Sequence, residues 1–291
     1  MSFAPVRKAI FPVAGLGTRL LPATKSIPKE MLTIVDRPLI QYAVDEAREA
    51  GIEQLIFVTG RGKSSLVDYF DMSFELEAVM EKAGKSLDAL QSSRTDYGEI
   101  VSVRQQRPLG LGHAVWCARH VVGNEPFAVL LPDDLMVPSA LKQMVEAYEA
   151  VGGNIVCAAE VPRDRTASYG IVTPGAREGN RTEVRGLVEK PRPEDAPSTL
   201  GVIGRYILQP EVMGVLDAQE TGAGGEIQLT DAMAQLIGTQ PFHAVTVDSV
   251  RYDCGTKLGF VTANMALGLA DPEIGDALRS QFAYGSSSTS Q

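Results

Sequence analysis

Histidine (three), cysteine (three) and tryptophan (one) are scarce in these 291 residues, and no apolar run reaches membrane-spanning length. A bilayer helix needs roughly 18 to 20 consecutive apolar residues. No stretch approaches that and MSFAPVRK has no signal-peptide core, so a soluble, cytoplasmic protein with no membrane partner is expected. Cys117, Cys157 and Cys254 are widely spaced in apolar or Gly-rich surroundings, which suggests neither a disulfide framework nor a C-x-x-C metal knuckle and fits a reducing compartment. In HAVWCARH, His113, Cys117 and His120 share one helical face, but a core-facing helix has the same spacing and no fourth ligand is suggested. No zinc site is expected. The net charge of −9 argues against a nucleic-acid partner held by bulk electrostatics, so any phosphate must be gripped locally.

What is present points to a large core. The chain is 44% hydrophobic, enough for one big α/β domain or two lobes. KAIFPVA, LIQYAVDEAREAG and IEQLIFVTG read as strand, helix, strand, the alternation of a parallel or mixed sheet covered by helices. Residues 61 to 96 interrupt with a charged, helical insertion expected on the outside, after which EIVSVRQQ and PFAVLLPDD resume the strands. Beyond about residue 150 the strands NIVCAAEV, YGIVTP, EVRGLVEKP, LGVIGRYIL and HAVTVDS are separated by turns and fewer helices. One continuous sheet carrying two lobes is expected. KLGFVTANMALGLA reads as a helix with apolar residues on several sides, which suits core packing or a subunit interface equally, and GSSSTSQ (285–291) has nothing to bury and should be disordered.

Three phosphate-binding patterns compete for residues 12 to 32, PVAGLGTRLLPATKSIPKEML. A P-loop fails because the glycines are two apart and Arg19 stands where no Walker lysine belongs. The dinucleotide fingerprint fails at its sixth place, filled by Leu20, and the next strand starts too late for a compact βαβ unit. Asp36 lies before the helix rather than after the second strand, so it cannot serve as the ribose acid. There remains a strand followed by a Gly-x-Gly turn whose N–H groups can approach a phosphate, with Arg19 adding a planar fork and Lys29 a point charge. Taken alone, Gly15 and Gly17 would equally permit a bare tight turn.

Together, VAGLGTRLLPATKSIPKEML, RQQRPLGLGHAV, LLPDD, LVEKP, GRYIL, GGEIQLTDA and YDCGTKLG resemble, in order from about residue 8 to about residue 260, the signature segments of the sugar nucleotidyltransferases. The bacterial branch that uridylylates glucose 1-phosphate is the best match. The resemblance implies an α/β fold, Rossmann-like, with a mixed, mostly parallel central sheet flanked by helices. It implies a single domain over 1–284, with a nucleotide-binding lobe (about 1–150), a sugar-phosphate-binding lobe (about 151–255) and C-terminal helices (about 256–284). The implied reaction is attack by glucose 1-phosphate on the α-phosphorus of UTP, giving UDP-glucose and pyrophosphate with Mg2+ as cofactor, in a homotetramer built as a dimer of dimers.

By the same resemblance, Gly15, Gly17 and Arg19 hold the triphosphate and Lys29 reaches the α-phosphate or the sugar phosphate. Asp133 and Asp253 hold the metal, which suits carboxylate oxygens. Gln105, with Gly110 five residues on, faces the pyrimidine, and backbone near Ala14 and Gly15 completes the choice of base. Since a flipped amide would serve cytosine equally well, Gln105 alone proves no preference. Uracil and thymine differ by one methyl, so a dTTP-using relative is the nearest alternative. Glu189 accepts from two sugar hydroxyls, Lys190 pairs with the sugar phosphate, Gly170 and Val202 offer backbone N–H groups, and Lys257 is a further phosphate candidate. A degenerate binder would be expected to lack Arg19, Lys29, Asp133 or Lys190, and all four are present. Leu20 disfavours an NAD-dependent dehydrogenase.

Overall fold

The computed structural model describes residues 3–287. In chain order the strands are β1 (Lys8–Pro12), β2 (Thr33–Ile34), β3 (Arg37–Pro38), β4 (Gln54–Thr59), β5 (Ile100–Arg104), β6 (Phe127–Leu130) and β7 (Asp134–Val137). There follow β8 (Asn154–Glu160), β9 (Gly170–Glu178), β10 (Arg181–Glu189), β11 (Leu200–Leu208), β12 (Phe242–Val245) and β13 (Val250–Asp253). Nine of these form one continuous sheet in the order β5-β4-β1-β6-β11-β8-β12-β10-β9. β5, β4, β1 and β6 are mutually parallel, and β12 is parallel to β8. Only β10 and β11 oppose the direction of the rest, so the sheet is mixed and mostly parallel.

The central strands show why. In β1 and β4, Ala9, Phe11, Leu55 and Phe57 pack into one core, while Ile10, Ile56 and Val58 enter a second on the opposite face. Side chains alternate along a strand, and both faces here are covered, so the strands read as continuous apolar runs. The helix Leu39–Glu49 supplies Ile40, Ala43, Val44 and Ala47 to the first core and ends at Gly51, whose positive φ suits a helix stop. Helices Leu111–Cys117 and Leu229–Leu236 cover the second. The 61–96 insertion forms three short helices that leave Met72, Phe74, Leu76 and Val79 exposed, with Leu66 and Phe70 as its buried anchors.

Two small ribbons shape the open end of the sheet. β7 pairs with β13, placing Asp253 opposite Asp134, and β2 pairs with β3. Ile34, Leu39, Leu135, Cys254 and Ala263 make a third core that docks the helix Lys257–Ala270 beside them. That helix is buried at Ala263 and Gly268, whereas Leu258, Val261 and Met265 lie exposed. The last helix, Gly275–Ser287, takes in three residues of the stretch expected to be disordered. Extending a formed helix adds one hydrogen bond per residue ordered. The remainder, 288–291, lies outside the described residues.

Candidate active site

The loop after β1 folds back on itself without forming a long helix. Val13 N donates to Val58 O (3.0 Å), prolonging the ladder, and Ala14 is buried against Gly60, where a Cβ would come within 3.1 Å of the Ala14 carbonyl oxygen. Gly17 sits at φ 67 before the turn Thr18–Leu20, and Thr24 Oγ1 donates to its carbonyl (2.7 Å). A side chain there would be strained in backbone and pressed on Thr24 and Lys29. Further on, neighbouring residues diverge. Glu30 turns inward, fully buried, to accept from Lys63 Nζ at 2.8 Å, while Lys29 Nζ reaches Asp133 Oδ2 at 2.5 Å. Burial raises the Glu30 pKa, with Lys63 and Lys29 opposing it.

Adjacent aspartates also part company. Burial pushes the Asp133 carboxyl upward, but Lys29 by charge and hydrogen bond, with Arg19 beyond, holds it below the ordinary carboxylate value. Burial likewise pulls Lys29 down, and Asp133 with Glu30 holds it above the ordinary lysine value. Asp134 has different partners, its Oδ1 accepting from Arg251 Nε (2.7 Å) and its Oδ2 from Gly204 N (3.1 Å). Burial outweighs Arg251 there, and the Asp134 pKa is raised. Beneath them Arg205, 1% exposed, forms a two-pronged pair with Glu46 and donates to the carbonyls of Leu131, Gly204 and Asp134. The β6–β7 turn is thereby fixed from below. Gly255 packs on it from the side: a Cβ at that residue would lie 2.8 Å from Asp133 Oδ2 and 3.1 Å from Asp253 Oδ1, so both carboxylates converge on one spot.

Arg19, Asp133, Glu189, Lys190, Val202 and Asp253, drawn from separate segments, line a single cleft of about 320 Å³. Lys190 Nζ pairs with Glu189 Oε1 at 3.1 Å, and the Lys190 backbone is left-handed, at φ 48, with its N–H donating to Tyr169 O (2.9 Å). Such a conformation costs on the order of 1 kcal/mol for a non-glycine residue, and surrounding structure must impose it. Gly170 lies in the wall behind this pair, where a Cβ would meet Thr230 Oγ1 at 2.9 Å and Glu189 Oε2 at 3.3 Å. Cleft residues outside the quoted motifs include Arg165, Ser168, Tyr169 and Arg251, while Glu226, Gln228 and Thr230 come from the segment GGEIQLTDA, to which no role is assigned from sequence. Arg251 Nη1 donates to Tyr169 Oη (3.0 Å), linking the buried network to the cleft wall.

Ala14, Gly15, Gly17, Lys29, Gln105, Gly110, Gly170 and Lys257 are not in that lining, although Lys29 reaches it through Asp133. Gln105 is buried at the end of β5, its Nε2 within 3.1 Å of Gly110 O and 3.0 Å of His113 Nδ1. Gly110, at φ 115, presses so closely on Ile227 that a Cβ would stand 2.6 Å from its carbonyl oxygen. Lys257 is exposed at the start of its helix, beyond Thr256, which does reach the cleft.

The nucleotidyl transferase family model matches residues 8–268, and the chain belongs to that family. It is 56% identical over 258 residues to a protein of Komagataeibacter xylinus named UTP-glucose-1-phosphate uridylyltransferase, covering 87% of this chain and 91% of that one. Among solved structures, UTP-bound UGPase from Acinetobacter baumannii superposes with a TM-score of 0.86 at 43% identity, over 96% of this chain and 99% of that one. UDP-glucose pyrophosphorylase complexed with UDP-glucose gives 0.80 at 44% identity, over 90% and 98%.

Proposed function

We propose that the chain transfers the uridylyl group of UTP to α-D-glucose 1-phosphate, by in-line attack of the sugar phosphate on the α-phosphorus, releasing pyrophosphate and UDP-glucose. The observation that supports this most is the meeting of Arg19, Asp133, Lys190 and Asp253 in one cleft of a nucleotidyl transferase. A phosphate monoester has its second pKa near 6, so the nucleophile is already ionised at neutral pH and needs no general base. The remaining task is to hold two mutually repelling anions in line and stabilise charge as pyrophosphate departs.

Arg19 and the N–H groups around Gly15 and Gly17 take the triphosphate, and Lys29 the α-phosphate. Ala14, Gln105 and Gly110 form the base end, while Lys190 and Lys257 draw in the sugar phosphate and Glu189, Gly170 and Val202 orient the sugar. Two carboxylate oxygens converge beside Gly255, and no cluster of three or more metal-ligating side chains is found among the described residues. That donor set suits Mg2+, a hard ion that keeps several waters and completes its shell with phosphate oxygens. Held by Asp133 and Asp253, it would supply charge neutralisation on the phosphates.

The site is read as cytoplasmic. No helix among the described residues is long and apolar enough to cross a membrane. For the homotetramer, the exposed side of the helix Lys257–Ala270, with Leu258 79% and Val261 52% exposed, is the surface where a second copy would pack; light scattering on the eluted protein checks it. A matrix of nucleoside triphosphates against sugar 1-phosphates, scored for pyrophosphate, tests the reaction. Release is expected only with UTP, glucose 1-phosphate and Mg2+ together. Equal release with dTTP would move the substrate to the thymidylyl branch, and none with any pair would end the proposal.

A further inference from the structure

A glutamine amide is symmetrical in shape, so its orientation must be read from its partners. The Gln105 Nε2 position faces two groups, Gly110 O at 3.1 Å and His113 Nδ1 at 3.0 Å. A carbonyl oxygen can only accept. The atom facing Gly110 must therefore be the amide nitrogen, and its second hydrogen is left for His113. That fixes the ring as well: Nδ1 is bare and accepting, and the proton of the neutral imidazole resides on Nε2. Gly110 cannot drift to relax this constraint, since Leu109 O accepts from Ile227 N (2.7 Å) and Gly112 N donates to Ile227 O (2.9 Å). With both amide hydrogens engaged, Gln105 has only Oε1 left, and no protein donor among the described residues meets it.

We propose that His113 is a positioning residue for base selection: together with the Gly110 carbonyl it locks the Gln105 amide so that an acceptor alone is presented to the nucleobase. This rests on the reading of Gln105 as the base contact. With base N3 opposite Oε1, a lone acceptor matches the N3–H of uracil, whereas cytosine offers a lone pair there and is repelled, its N4 amino donor meeting Oε1 only if the ring shifts. The amide ambiguity that leaves Gln105 unable to choose by itself is thus removed by a side chain on the next helix.

The groups around His113 are the Arg119 guanidinium, which stacks on Trp116, the Cys117 thiol 3.8 Å from Nδ1, and Asp217 beyond the Trp116 indole. Burial first and Arg119 second lower the His113 pKa, favouring the bare nitrogen at neutral pH. Protonation in acid places a hydrogen on Nδ1, which opposes the amide nitrogen and frees the amide to turn.

The test compares kcat/KM for UTP and CTP with glucose 1-phosphate and Mg2+ in wild type, His113→Ala and His113→Asn. CTP is also scored as a competitive inhibitor. In His113→Ala the UTP/CTP ratio should fall about tenfold, mainly through KM for UTP. His113→Asn can set its side-chain oxygen where Nδ1 lies, so it should keep the ratio. From about pH 8 to about pH 5.5 the wild-type ratio should decline while the Asn variant stays flat. A ratio within twofold of wild type in folded His113→Ala overturns the inference. Should the Ala variant not fold, the Asn variant decides: lost selectivity, or a pH profile identical to wild type, overturns it. A wild type that releases no pyrophosphate from UTP refutes the functional reading itself, whereas active wild type with indifferent variants refutes only the role of His113.

Discussion

Arg205→Met should be among the most damaging single changes outside the cleft. Arg205 makes five hydrogen bonds: to Glu46 Oε1 (3.0 Å) and Oε2 (2.7 Å), Leu131 O (2.8 Å), Gly204 O (3.0 Å) and Asp134 O (2.7 Å). Methionine fills much of the space but leaves the Glu46 carboxylate, 5% exposed, without its counter-charge. Breaking one side of a buried pair costs about 3–5 kcal/mol. At about 2 °C per kcal/mol for a chain of this size, the melting temperature should drop by roughly 6–10 °C. Two of the lost bonds hold Leu131 and Asp134, which bracket Asp133, so pyrophosphate release below the melting range should also fall by about 10- to 100-fold. Glu46→Leu combined with Arg205→Met removes the orphaned charge and should melt above the single variant, though below wild type, because the Ala140 and Leu141 N–H groups lose the Glu46 oxygen they donate to and the Asp134 carbonyl loses Arg205. Thermal melts of the three proteins and a coupled pyrophosphate assay suffice. A single variant melting within 2 °C of wild type, or a double variant less stable than the single, would show that the buried charge does not govern this site.

Asp133→Asn keeps shape but weakens the metal ligand, so turnover should fall by about 100- to 1,000-fold, and the melt should also fall because Lys29 loses its charged partner; an unchanged rate at limiting Mg2+ removes Asp133 from the reaction. Lys190→Ala should raise KM for glucose 1-phosphate about tenfold while leaving KM for UTP alone, and equal changes in both would contradict its assignment to the sugar phosphate. Gly255→Ala pushes a methyl between Asp133 Oδ2 and Asp253 Oδ1, at 2.8 and 3.1 Å. The Mg2+ needed for half-maximal rate should rise about 10- to 100-fold, and an unshifted Mg2+ titration refutes the shared position. The Lys29–Asp133 pair has a pH signature. Asp133 is shifted below 3.8 and Lys29 above 10.5, so their stabilisation is complete between those values. It is lost as pH falls through the folded Asp133 pKa or rises through that of Lys29. In Lys29→Met burial dominates and Asp133 moves up, so the variant's penalty is relieved as Asp133 protonates. The gap between wild-type and variant urea midpoints should be widest near neutrality and narrow toward pH 4; a constant gap would rule the pair out.

How much of this was legible in the sequence depended on whether a residue's partner lay in the same segment. The alternating strands and helices were readable because both faces of β1 and β4 are buried, which leaves long apolar runs such as KAIFP and QLIFVT. Within the loop, Gly17 betrayed itself by type, since φ 67 suits few other residues. Residues whose work is set across the fold stayed hidden. Asp133 and Asp134 are indistinguishable in LLPDD, yet one pairs with Lys29 and the other with Arg251, a distinction made by where the turn ends and β7 begins. Glu46 and Arg205 did leave a trace: a glutamate on the apolar side of LIQYAVDEARE and an arginine amid LGVIGRYIL are each costly to bury alone. Their being 159 residues apart conceals that each is the other's remedy. Glutamine 105 falls between these cases. Its place in a segment that resembles the family implied contact with a base but not which base, and the hydrogen bonds that orient its amide come from Gly110 and His113, with Gly110 held in turn by Ile227. Motif reading finds the residue, while the hydrogen-bonding group it presents is decided by the neighbours that hold its amide.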